Sequence, residues 1–466
     1  MHEALRLAYE ASLAFRRGLA DRPVGAQATL AELRAALGRP LTDGGEAPQQ
    51  VIADLAREAD AGLIAEPGPR YFGFVIGGSS ETALAADWLS SAWDQNAGIY
   101  ATSPALAVVE EICARWLLEL LGLPENSGVG FVTGCQMAHV TCLAAARHGL
   151  LRRAGWDVEQ EGLQGSPWLH VVVGDEVHVT VPRALRFLGL GAGRMLRVPT
   201  DAQGRMIAGE LKKTLSGLTG PVLVCAQLGN VNTGAMDPME AIADACAEAD
   251  GGRGAWLHVD GAFGLWAAAA PGLRASVRGA VRADSWATDA HKWLNVPYDS
   301  GLAFVKDAAA HRAAMTVSAA YLIQQAGDAA RDAVDWVPEF SRRGRGFALY
   351  AQLRALGREG LAALIERSCE LARRAAEGFA AIPGAEVLNE VVLNQVLVRF
   401  TPRGGGDADA FTKRMVEGVQ ADGTCWLSGS TWHGMGVLRF SVSGQDTTEA
   451  DIDRSLAAIR AVASRL

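Results

Sequence analysis

Short apolar runs alternate with helical segments between residues 128 and 310, and this alternation constrains the fold more than any other feature. The runs "GVGFVTG", "HVVVG", "PVLVCAQLG", "AWLHVDGAFG" and "DSWATDAHK" have the length and composition of strands. Short buried strands that alternate with helices predict an α/β fold with an open, mostly parallel sheet covered by helices on both faces. Because ligands of such sheets bind at the carboxyl ends of the strands, the residues just past each run are candidate site residues.

The flanking regions show different patterns. Residues 1–65 and 345–380 carry apolar residues at helical spacing. The remaining C-terminal residues alternate strand-like runs such as "VVLNQVLVRF" and "GVLRFSVS" with helices. These patterns predict a helical N-terminal segment, a long amphipathic helix and an α+β C-terminal part.

Composition argues against several classes of protein. With 49% apolar and 20% charged residues the chain can bury a sizeable core, and its net charge of −9 argues against a broad nucleic-acid surface. No apolar run approaches the length of a membrane span, and the N-terminus does not resemble a signal peptide. The seven cysteines form no CxxC pair, so we expect no disulfide scaffold, no metal site and a reducing, cytoplasmic location.

Lysine is rare in this chain, with only five lysines among its 43 basic residues. Four of them lie in polar contexts with easy access to water: Lys212, Lys213, Lys306 and Lys413. The fifth, Lys292, lies in "DAHKWLNVPYDSG", among small and apolar residues. Burial disfavours the charged form of an amine, which lowers its pKa and leaves the free base that a Schiff base requires. The alternative is an ammonium paired with Asp289 or Asp299.

Asp260 ends the apolar run "WLHVD", one strand before Lys292. A carboxylate at a strand end is often only a helix cap or a loop anchor. An aldehyde cofactor on Lys292 would instead present a pyridine ring whose nitrogen Asp260 holds protonated. Opposite unit charges about 4 Å apart interact by about 4 kcal/mol at an effective dielectric of about 20, enough to make the ring an electron sink. The small Ala262 would let the ring lie against the backbone.

Two further segments follow predicted strands. "TGCQMAH", residues 133–139, joins a strand to a helix whose N-terminal amides form a phosphate site. A dinucleotide site is an alternative, but "GVGFVTG" has one residue too many before its last glycine. His178 follows "HVVVG", where an imidazole would stack on a planar cofactor, although a lone histidine is usually structural. One ligand, pyridoxal phosphate, accounts for the lysine, the carboxylate and both segments.

These motifs, in this order, resemble those of the group II pyridoxal-phosphate-dependent amino-acid decarboxylases, such as the aromatic-amino-acid and glutamate decarboxylases. The resemblance covers nearly the full chain and is carried by "HVDGAFG" and "DAHKWLNVPYDSG", with 32 residues from Asp260 to Lys292. "PRYFGFV" resembles the family's substrate-loop motif, although Gly68 stands where a histidine is usual. "SRRGRGFALYAQLRALG" resembles the segment that follows the family's mobile catalytic loop.

The resemblance implies a fold-type I enzyme that is a homodimer with shared active sites. Residues 1–80 would form an N-terminal helical segment and the substrate loop. Residues 81–345 would form the large cofactor-binding domain around a mostly parallel seven-stranded sheet with flanking helices. Residues 346–466 would form a small α+β C-terminal domain.

The resemblance also implies a role for each matching residue. Lys292 would bind the aldehyde of pyridoxal phosphate, Asp260 would pair with the ring nitrogen, and His178 would stack on the ring and assist proton transfer. Asp289 stands where a neutral amide is common, and its carboxylate beside the phosphate would be unfavourable. The other implied cofactor contacts are Cys135, Gln136, Gln227, Ala262 and His291. The implied substrate contacts are Phe72, Phe74, Asn96 and Tyr100, of which the last two would come from the partner subunit.

We therefore predict an enzyme that releases the α-carboxylate of an amino acid as carbon dioxide, and the aromatic residues of "PRYFGFV" favour an aromatic or apolar side chain. Alignment on "DWVPEFSRRGRG" places the family's loop tyrosine at Ala333, and no tyrosine lies between Tyr321 and Tyr350. Removing a general acid costs about 10²–10⁴ in the step that it serves, so aldehyde formation or transamination is an alternative outcome. The proton could equally come from His178, water or Tyr321. An inactive cofactor-binding protein is a further alternative, which the intact catalytic set disfavours.

Overall fold

The structure is a computed structural model that describes residues 2–316 and 330–466. These residues form two compact units. The described residues of the larger unit are 77–316, 330–370 and 389–395, and those of the smaller unit are 2–76, 371–388 and 396–466. The predicted three-part division at residues 80/81 and 345/346 remains a prediction.

The strands of the described residues are two to seven residues long. In chain order they are β1 Tyr71–Phe72, β2 Gly128–Val132, β3 His170–Gly174, β4 Leu196–Val198, β5 Val222–Gln227, β6 Trp256–Asp260, β7 Ser285–Asp289, β8 Gly301–Val305, β9 Ala385–Val387, β10 Gln395–Phe400, β11 Trp426–Trp432 and β12 Met435–Ser441. The α-helices are α1 Glu3–Gly18, α2 Leu30–Leu37, α3 Pro48–Ala59, α4 Glu81–Trp93, α5 Pro104–Leu121, α6 Cys135–Arg153, α7 Val158–Glu161, α8 Thr180–Phe187, α9 Ala208–Ser216, α10 Met239–Gly252, α11 Ala308–Met315, α12 Gly346–Ala380, α13 Ala408–Asp422 and α14 Glu449–Arg465.

The larger unit is built on a seven-stranded sheet with the order β2-β8-β7-β6-β5-β3-β4. All neighbouring pairs are parallel except those of β8, which runs antiparallel to both β2 and β7. The central strands are buried along nearly their whole length, as expected for a sheet covered on both faces. The predicted α/β class and mostly parallel seven-stranded sheet are therefore confirmed.

Helix α6 packs between this sheet and two of the helices that cover it. It contacts β7 and β8 on one side and α8 and α11 on another, which explains why so many of its residues are buried. Its first residues approach β8 closely: a Cβ on Gly301 would lie 2.4 Å from the Cα atom of Gly134. Only glycine fits at position 301 without a backbone shift, and this contact fixes the start of α6 against the sheet.

The segment that carries Lys292 differs from its prediction. The run "DSWATDAHK" was expected to be a strand throughout, but β7 ends at Asp289. Beyond it, the N–H groups of Ala290 and His291 both donate to the carbonyl of Ser300, at 3.0 and 3.2 Å. The backbone leaves the sheet because these groups pair across a loop, so Lys292 lies in the loop between β7 and β8.

The smaller unit contains a five-stranded sheet with the order β1-β11-β12-β10-β9. The predicted small α+β part is confirmed, and α13 packs on β11 and β12. One of its strands was missed, since residues 71–72 were predicted to lie in a loop. They form β1, which pairs in parallel with β11. A two-residue strand depends on its partner for hydrogen bonds, so the sequence of the Gly- and Pro-rich segment alone does not predict it.

The predicted long helix over residues 345–380 is confirmed as α12. Its regular geometry is interrupted at Gly357, which has a φ of 61°. Such a φ is accessible to glycine at little cost, so the amphipathic pattern continues through the interruption. Within residues 2–316 and 330–466, no helix is both long enough and apolar enough to span a bilayer.

Candidate active site

Three adjacent parallel strands of the large sheet end in polar residues at one edge. β5 ends at Gln227, β6 at Asp260 and β7 at Asp289, and Gln227 pairs in register with Asp260. The start of α6 lies at the same edge, because the Cys135 N–H donates to Asp289 with an N···Oδ1 distance of 2.6 Å. The structure thus brings these predicted residues together at the carboxyl ends of the strands, where ligands of such sheets bind.

The Asp289 carboxylate is the centre of this cluster and is only 2% exposed. Besides the Cys135 N–H, the His291 Nε2 atom lies 3.4 Å from Oδ1 and the Lys292 Nζ atom lies 3.2 Å from Oδ2. His291 Nδ1 accepts the Ser300 N–H at 3.1 Å, so a neutral ring carries its proton on Nε2, facing the carboxylate. Burial lowers the pKa of His291 and favours this neutral ring. A carboxylate therefore occupies the helix N-terminus at which a phosphate was predicted.

Lys292 is held as an ammonium by this carboxylate. Burial lowers the pKa of Lys292, but the nearby negative groups, Asp289 foremost, raise it above its usual value. The expectation that burial alone leaves a free amine is therefore wrong for this arrangement of side chains. The alternative, a pair with Asp289, is what the structure shows, while Asp299 pairs with Arg345 at 2.5 Å.

The other lysines face water, as the sequence predicts. Lys212 and Lys213 are 64% and 73% exposed, and Lys413 is 77% exposed. Lys306 is also exposed. Within the described residues, Lys292 is thus the one lysine whose amine lies in a buried polar cluster.

Asp260 is 5% exposed, and its two oxygens have different surroundings. Oδ1 accepts the Ala262 N–H at 3.1 Å, so the carboxylate also anchors the turn after β6. Oδ2 lies 3.5 Å from His139 Nε2. Burial by itself raises the pKa of Asp260, but His139, His178 and Lys292 together hold it below its usual value. The carboxylate is therefore ionised at neutral pH.

His178 and Gln136 meet at Thr180. His178 is partly buried, and its Nδ1 lies 2.8 Å from the Thr180 hydroxyl. The Gln136 amide donates to the Thr180 carbonyl at 3.1 Å. These bonds tie the segment after β3 to the first turn of α6, and they hold the imidazole at the same edge of the sheet.

Gln227 and Ala262 are held mainly by their backbones. The Gln227 N–H donates to Asp237 Oδ2 at 2.7 Å, and burial raises the pKa of Asp237 to about 6. The carbonyl of Ala262 accepts the Asp289 N–H at 3.0 Å. Both side chains are partly buried, so each has surface left for contact with a ligand.

The four predicted substrate residues fall in different parts of the chain. In the smaller unit, Phe72 is fully buried and stacks on Phe440 with ring centroids 3.9 Å apart, whereas Phe74 is 50% exposed. In the larger unit, Asn96 and Tyr100 lie between α4 and α5, and Asn96 Oδ1 accepts a backbone N–H of its own loop at 3.2 Å. Phe72 has a clear packing role, and the substrate contacts of all four residues remain predictions.

Sequence reasoning missed His139, His258, Ser285 and the central position of Asp289. Part of the signal was visible: Trp256, His258 and Asp260 alternate in "WLHVD", and period-two spacing places them on one face of a strand. The partner of that face, His139 on α6, could not be found from the sequence because it lies 119 residues from His258.

Cys135, His139 and Asp260 bring a thiol, an imidazole and a carboxylate within 4.8 Å of one another. Burial raises the pKa of the Cys135 thiol well above its usual value. Without a metal ion the thiol is therefore protonated at neutral pH. Within the group, His139 Nε2 lies 3.5 Å from both Cys135 Sγ and Asp260 Oδ2.

The chemistry of the cluster fits pyridoxal phosphate. Lys292, once its ammonium gives up a proton, would offer an amine to an aldehyde, Asp260 would offer an ionised carboxylate to a pyridine nitrogen, and the amides at the start of α6 would suit a phosphate. Asp289 is the exception, since its negative charge faces the position of the phosphate. Together with the sheet topology, these groups define a pyridoxal-phosphate enzyme of fold type I.

Comparison with known proteins gives the family. Residues 32–401 match the pyridoxal-dependent decarboxylase conserved domain. Acidic amino acid decarboxylase GADL1 of Homo sapiens is 30% identical over 378 residues, which are 80% of this chain and 71% of that protein. Aromatic-L-amino-acid decarboxylase of Bacillus atrophaeus is 25% identical over 458 residues, 96% of this chain and 92% of that protein. The crystal structure of Oryza sativa TDC with PLP and tryptamine has a TM-score of 0.90 at 24% identity and covers 99% of this chain and 97% of that one.

The chain belongs to the pyridoxal-dependent decarboxylase family. It is an enzyme that uses pyridoxal phosphate to decarboxylate an amino acid. The predicted fold class, cofactor and reaction class are confirmed. The roles of individual residues, the substrate side chain and the oligomeric state belong to the proposals below.

We expect Asp289→Asn to bind pyridoxal 5'-phosphate at least about tenfold more tightly than the wild type. The substitution removes a charge that repels the phosphate, and like charges about 4 Å apart repel by about 4 kcal/mol at an effective dielectric of about 20. It also removes the partner that raises the pKa of Lys292, so cofactor incorporation should become fast at a lower pH. Absorbance titration of the apoprotein measures the affinity, and the incorporation rate across pH measures the shift.

The same variant should lose stability without cofactor. The free energy of unfolding of the apoprotein should fall by about 1–3 kcal/mol, because the buried ammonium loses a charged partner. Asp299→Asn is the matched control, since Asp299 lies in the same loop but is 38% exposed and pairs with Arg345. Weaker cofactor binding by Asp289→Asn would show that Asp289 helps to hold the cofactor rather than competing with it.

Proposed function

We propose that Lys292, Asp260 and His178 carry the decarboxylation chemistry. The observation that supports this most directly is the convergence of a partly buried ammonium and a buried, ionised carboxylate at one edge of the sheet. When bound, pyridoxal phosphate supplies an electron sink for the pair left behind by carbon dioxide. In this proposal, Lys292 holds the cofactor's aldehyde carbon, Asp260 keeps the ring nitrogen protonated, and His178 lies beside the ring and moves a proton. The remaining proposed cofactor contacts are Cys135, Gln136, Gln227, Ala262 and His291.

We propose an aromatic or apolar substrate side chain. In the smaller unit, the half-exposed Phe74 lies near Trp426, which stacks on Tyr71 at 5.1 Å. A substrate with an acidic side chain would require a cation to bind it. The cation of the segment "PRYFGFV", Arg70, is only 2% exposed and already donates to the carbonyls of Thr424 and Ala20. These observations favour the aromatic-amino-acid relatives over the acidic ones as guides to the substrate.

We further propose that part of the turnover yields aldehyde. Ala333, the position aligned with the family's loop tyrosine, is 7% exposed in a short 3-10 turn, and Tyr321 lies outside the described residues. Without a tyrosine there, protonation of the carbon that lost its carboxylate is slower, and molecular oxygen competes. The balanced oxidative route converts amino acid, oxygen and water to aldehyde, carbon dioxide, ammonia and hydrogen peroxide. A tyrosine at 333 would over-pack this turn, so the wild type is the informative protein.

We propose that the enzyme is a homodimer with shared sites. The region around α4 exposes several large apolar side chains, which a partner subunit would cover: Trp88, Leu89, Trp93 and Val108. Asn96 and Tyr100 lie in the same region of the chain and would reach the partner's site. The seven cysteines are buried free thiols, which supports a reducing location such as the cytoplasm.

Lys292→Ala should abolish turnover and leave no cofactor that borohydride can fix to the chain, because no other lysine amine lies in the cluster. Reduction of the wild type with borohydride, followed by peptide mapping, should place the label on Lys292. Lys306→Ala is the matched control and should behave as the wild type, since Lys306 is exposed. Label on Lys306 in the wild type would overturn the assignment.

A panel of aromatic, aliphatic and acidic amino acids should give the highest kcat/KM with an aromatic one. Carbon dioxide, amine, aldehyde and peroxide are measured for each, in air and without oxygen. We expect aldehyde and peroxide beside amine in air and a shift toward amine without oxygen. Stoichiometric amine in air would contradict the proposed side route, and preference for glutamate or aspartate would contradict the proposed substrate class.

Mixing two inactive variants tests the shared site. Lys292→Ala and an inactivating variant of Tyr100 should together recover about a quarter of wild-type activity. Half of the dimers are then mixed, and each has one intact site. Two preparations of Lys292→Ala mixed together form the control. A monomer by light scattering at assay concentration would rule the proposal out.

A further inference from the structure

A row of buried polar side chains leads from the interior of the large sheet to Asp260. The Trp256 Nε1–H donates to the Ser285 hydroxyl at 2.9 Å, and Ser285 Oγ lies 2.9 Å from His258 Nδ1. His258 Nε2 lies 2.9 Å from His139 Nδ1. His139 Nε2 in turn faces Asp260 Oδ2 at 3.5 Å. Each of the five residues is at most 5% exposed, so their polar groups depend on one another, rather than on bulk water, for hydrogen bonds.

The strand geometry explains why these groups meet. Trp256, His258 and Asp260 are alternate residues of β6 and therefore lie on one of its faces. Ser285, the first residue of β7, pairs in register with His258. His139 lies in the second turn of α6, which covers that face. The row is thus built from three elements that the core holds rigidly.

The chemistry of the two ends is compatible with one continuous direction of bonds along the row. Indole Nε1–H only donates, and a carboxylate only accepts. If Trp256 donates to Ser285, the Ser285 hydroxyl can donate to His258 Nδ1. A neutral His258 then donates from Nε2 to His139 Nδ1, and a neutral His139 presents its Nε2–H to Asp260. Burial lowers the pKa of His258 to about 3, so this ring is neutral, as the direction requires.

We propose that His139 is a positioning residue that, backed by His258 and Ser285, presents a donor to the Asp260 carboxylate and fixes how strongly that carboxylate binds the cofactor's ring nitrogen. The inference rests on the proposed pairing of Asp260 with that nitrogen. Donors in a row polarise one another in a medium of low dielectric, so the last donor is stronger than an isolated imidazole. With Oδ1 on the Ala262 N–H and Oδ2 facing His139, the carboxylate cannot rotate freely.

The test compares two probes that differ only at the ring nitrogen: pyridoxal 5'-phosphate and its 1-deaza analogue, in which carbon replaces that nitrogen. The dissociation constant of the deaza analogue divided by that of pyridoxal 5'-phosphate, both measured on the apoprotein, isolates the contribution of Asp260 to ring binding. In His139→Leu, a change of similar volume without a donor, this ratio should fall roughly 10- to 100-fold, the usual effect of losing a hydrogen bond to a charged group. Affinity for the deaza analogue should hardly change.

Two further variants separate positioning from packing. His139→Gln keeps one donor and one acceptor and should restore most of the ratio. Ser285→Ala breaks the row at its far end and should lower the ratio by less than His139→Leu does, which keeps the inference testable if the leucine variant does not fold. Thr141→Val is the matched control: Thr141 is fully buried on the same helix, and its hydroxyl donates to the Met137 carbonyl at 2.9 Å. Its ratio should equal that of the wild type.

The outcomes are distinct. A wild-type protein that binds both probes equally would refute the pairing of Asp260 with the ring nitrogen, and with it this inference. A wild type that discriminates, together with histidine and serine variants that discriminate equally well, would overturn the role of His139 alone. Equal losses of affinity for both probes would show that His139 only packs.

Discussion

The parallel pairing of β5, β6 and β7 is the constraint on which the site depends. Because the three strands run in the same direction and end almost level, Gln227, Asp260 and Asp289 emerge at one edge of the sheet. The strands around them are buried, so these polar ends find their partners within the protein: Asp289 contacts Lys292, His291 and the start of α6, and Asp260 contacts the Ala262 N–H and lies 3.5 Å from His139. A shift of register by one residue would turn each of these side chains to the opposite face.

Two carboxylates buried so close together need compensation, and each receives it differently. Asp289 is neutralised directly, by the Lys292 ammonium, the His291 ring and the first amide of α6. Asp260 has no lysine within ion-pair distance; it accepts the Ala262 N–H and lies 3.5 Å from His139, while His178 and Lys292 act on its pKa from further away. In the proposed function, a bound phosphate would compete with Asp289 for the start of α6 and for Lys292, whereas Asp260 would remain charged beside the ring nitrogen.

Family membership accounts for the cofactor and the reaction class. The features particular to this chain are two residues, Asp289 and Ala333, that differ from the family pattern. Asp289 places a negative charge near the phosphate position, and Ala333 places a methyl group at the position aligned with a tyrosine. The first affects how the cofactor enters, and the second affects the fate of the carbon that has lost its carboxylate. Neither difference removes Lys292 or Asp260, the two groups to which the proposed function assigns the cofactor chemistry.

The alternation of apolar runs and helices determined the α/β class, and local motifs predicted which residues gather at the carboxyl ends of the strands, because strand and helix periodicities and a helix N-terminus are properties of short segments. Tertiary structure decided the charge states. The sequence around Lys292 left open whether its amine is free or paired with Asp289 or Asp299; in the structure it is paired with Asp289, which raises its pKa. His139 supports Asp260 across 121 positions of chain. Electrostatic energies depend on distances between atoms and on burial, and long-range distances are set only when the whole sheet and its covering helices have packed.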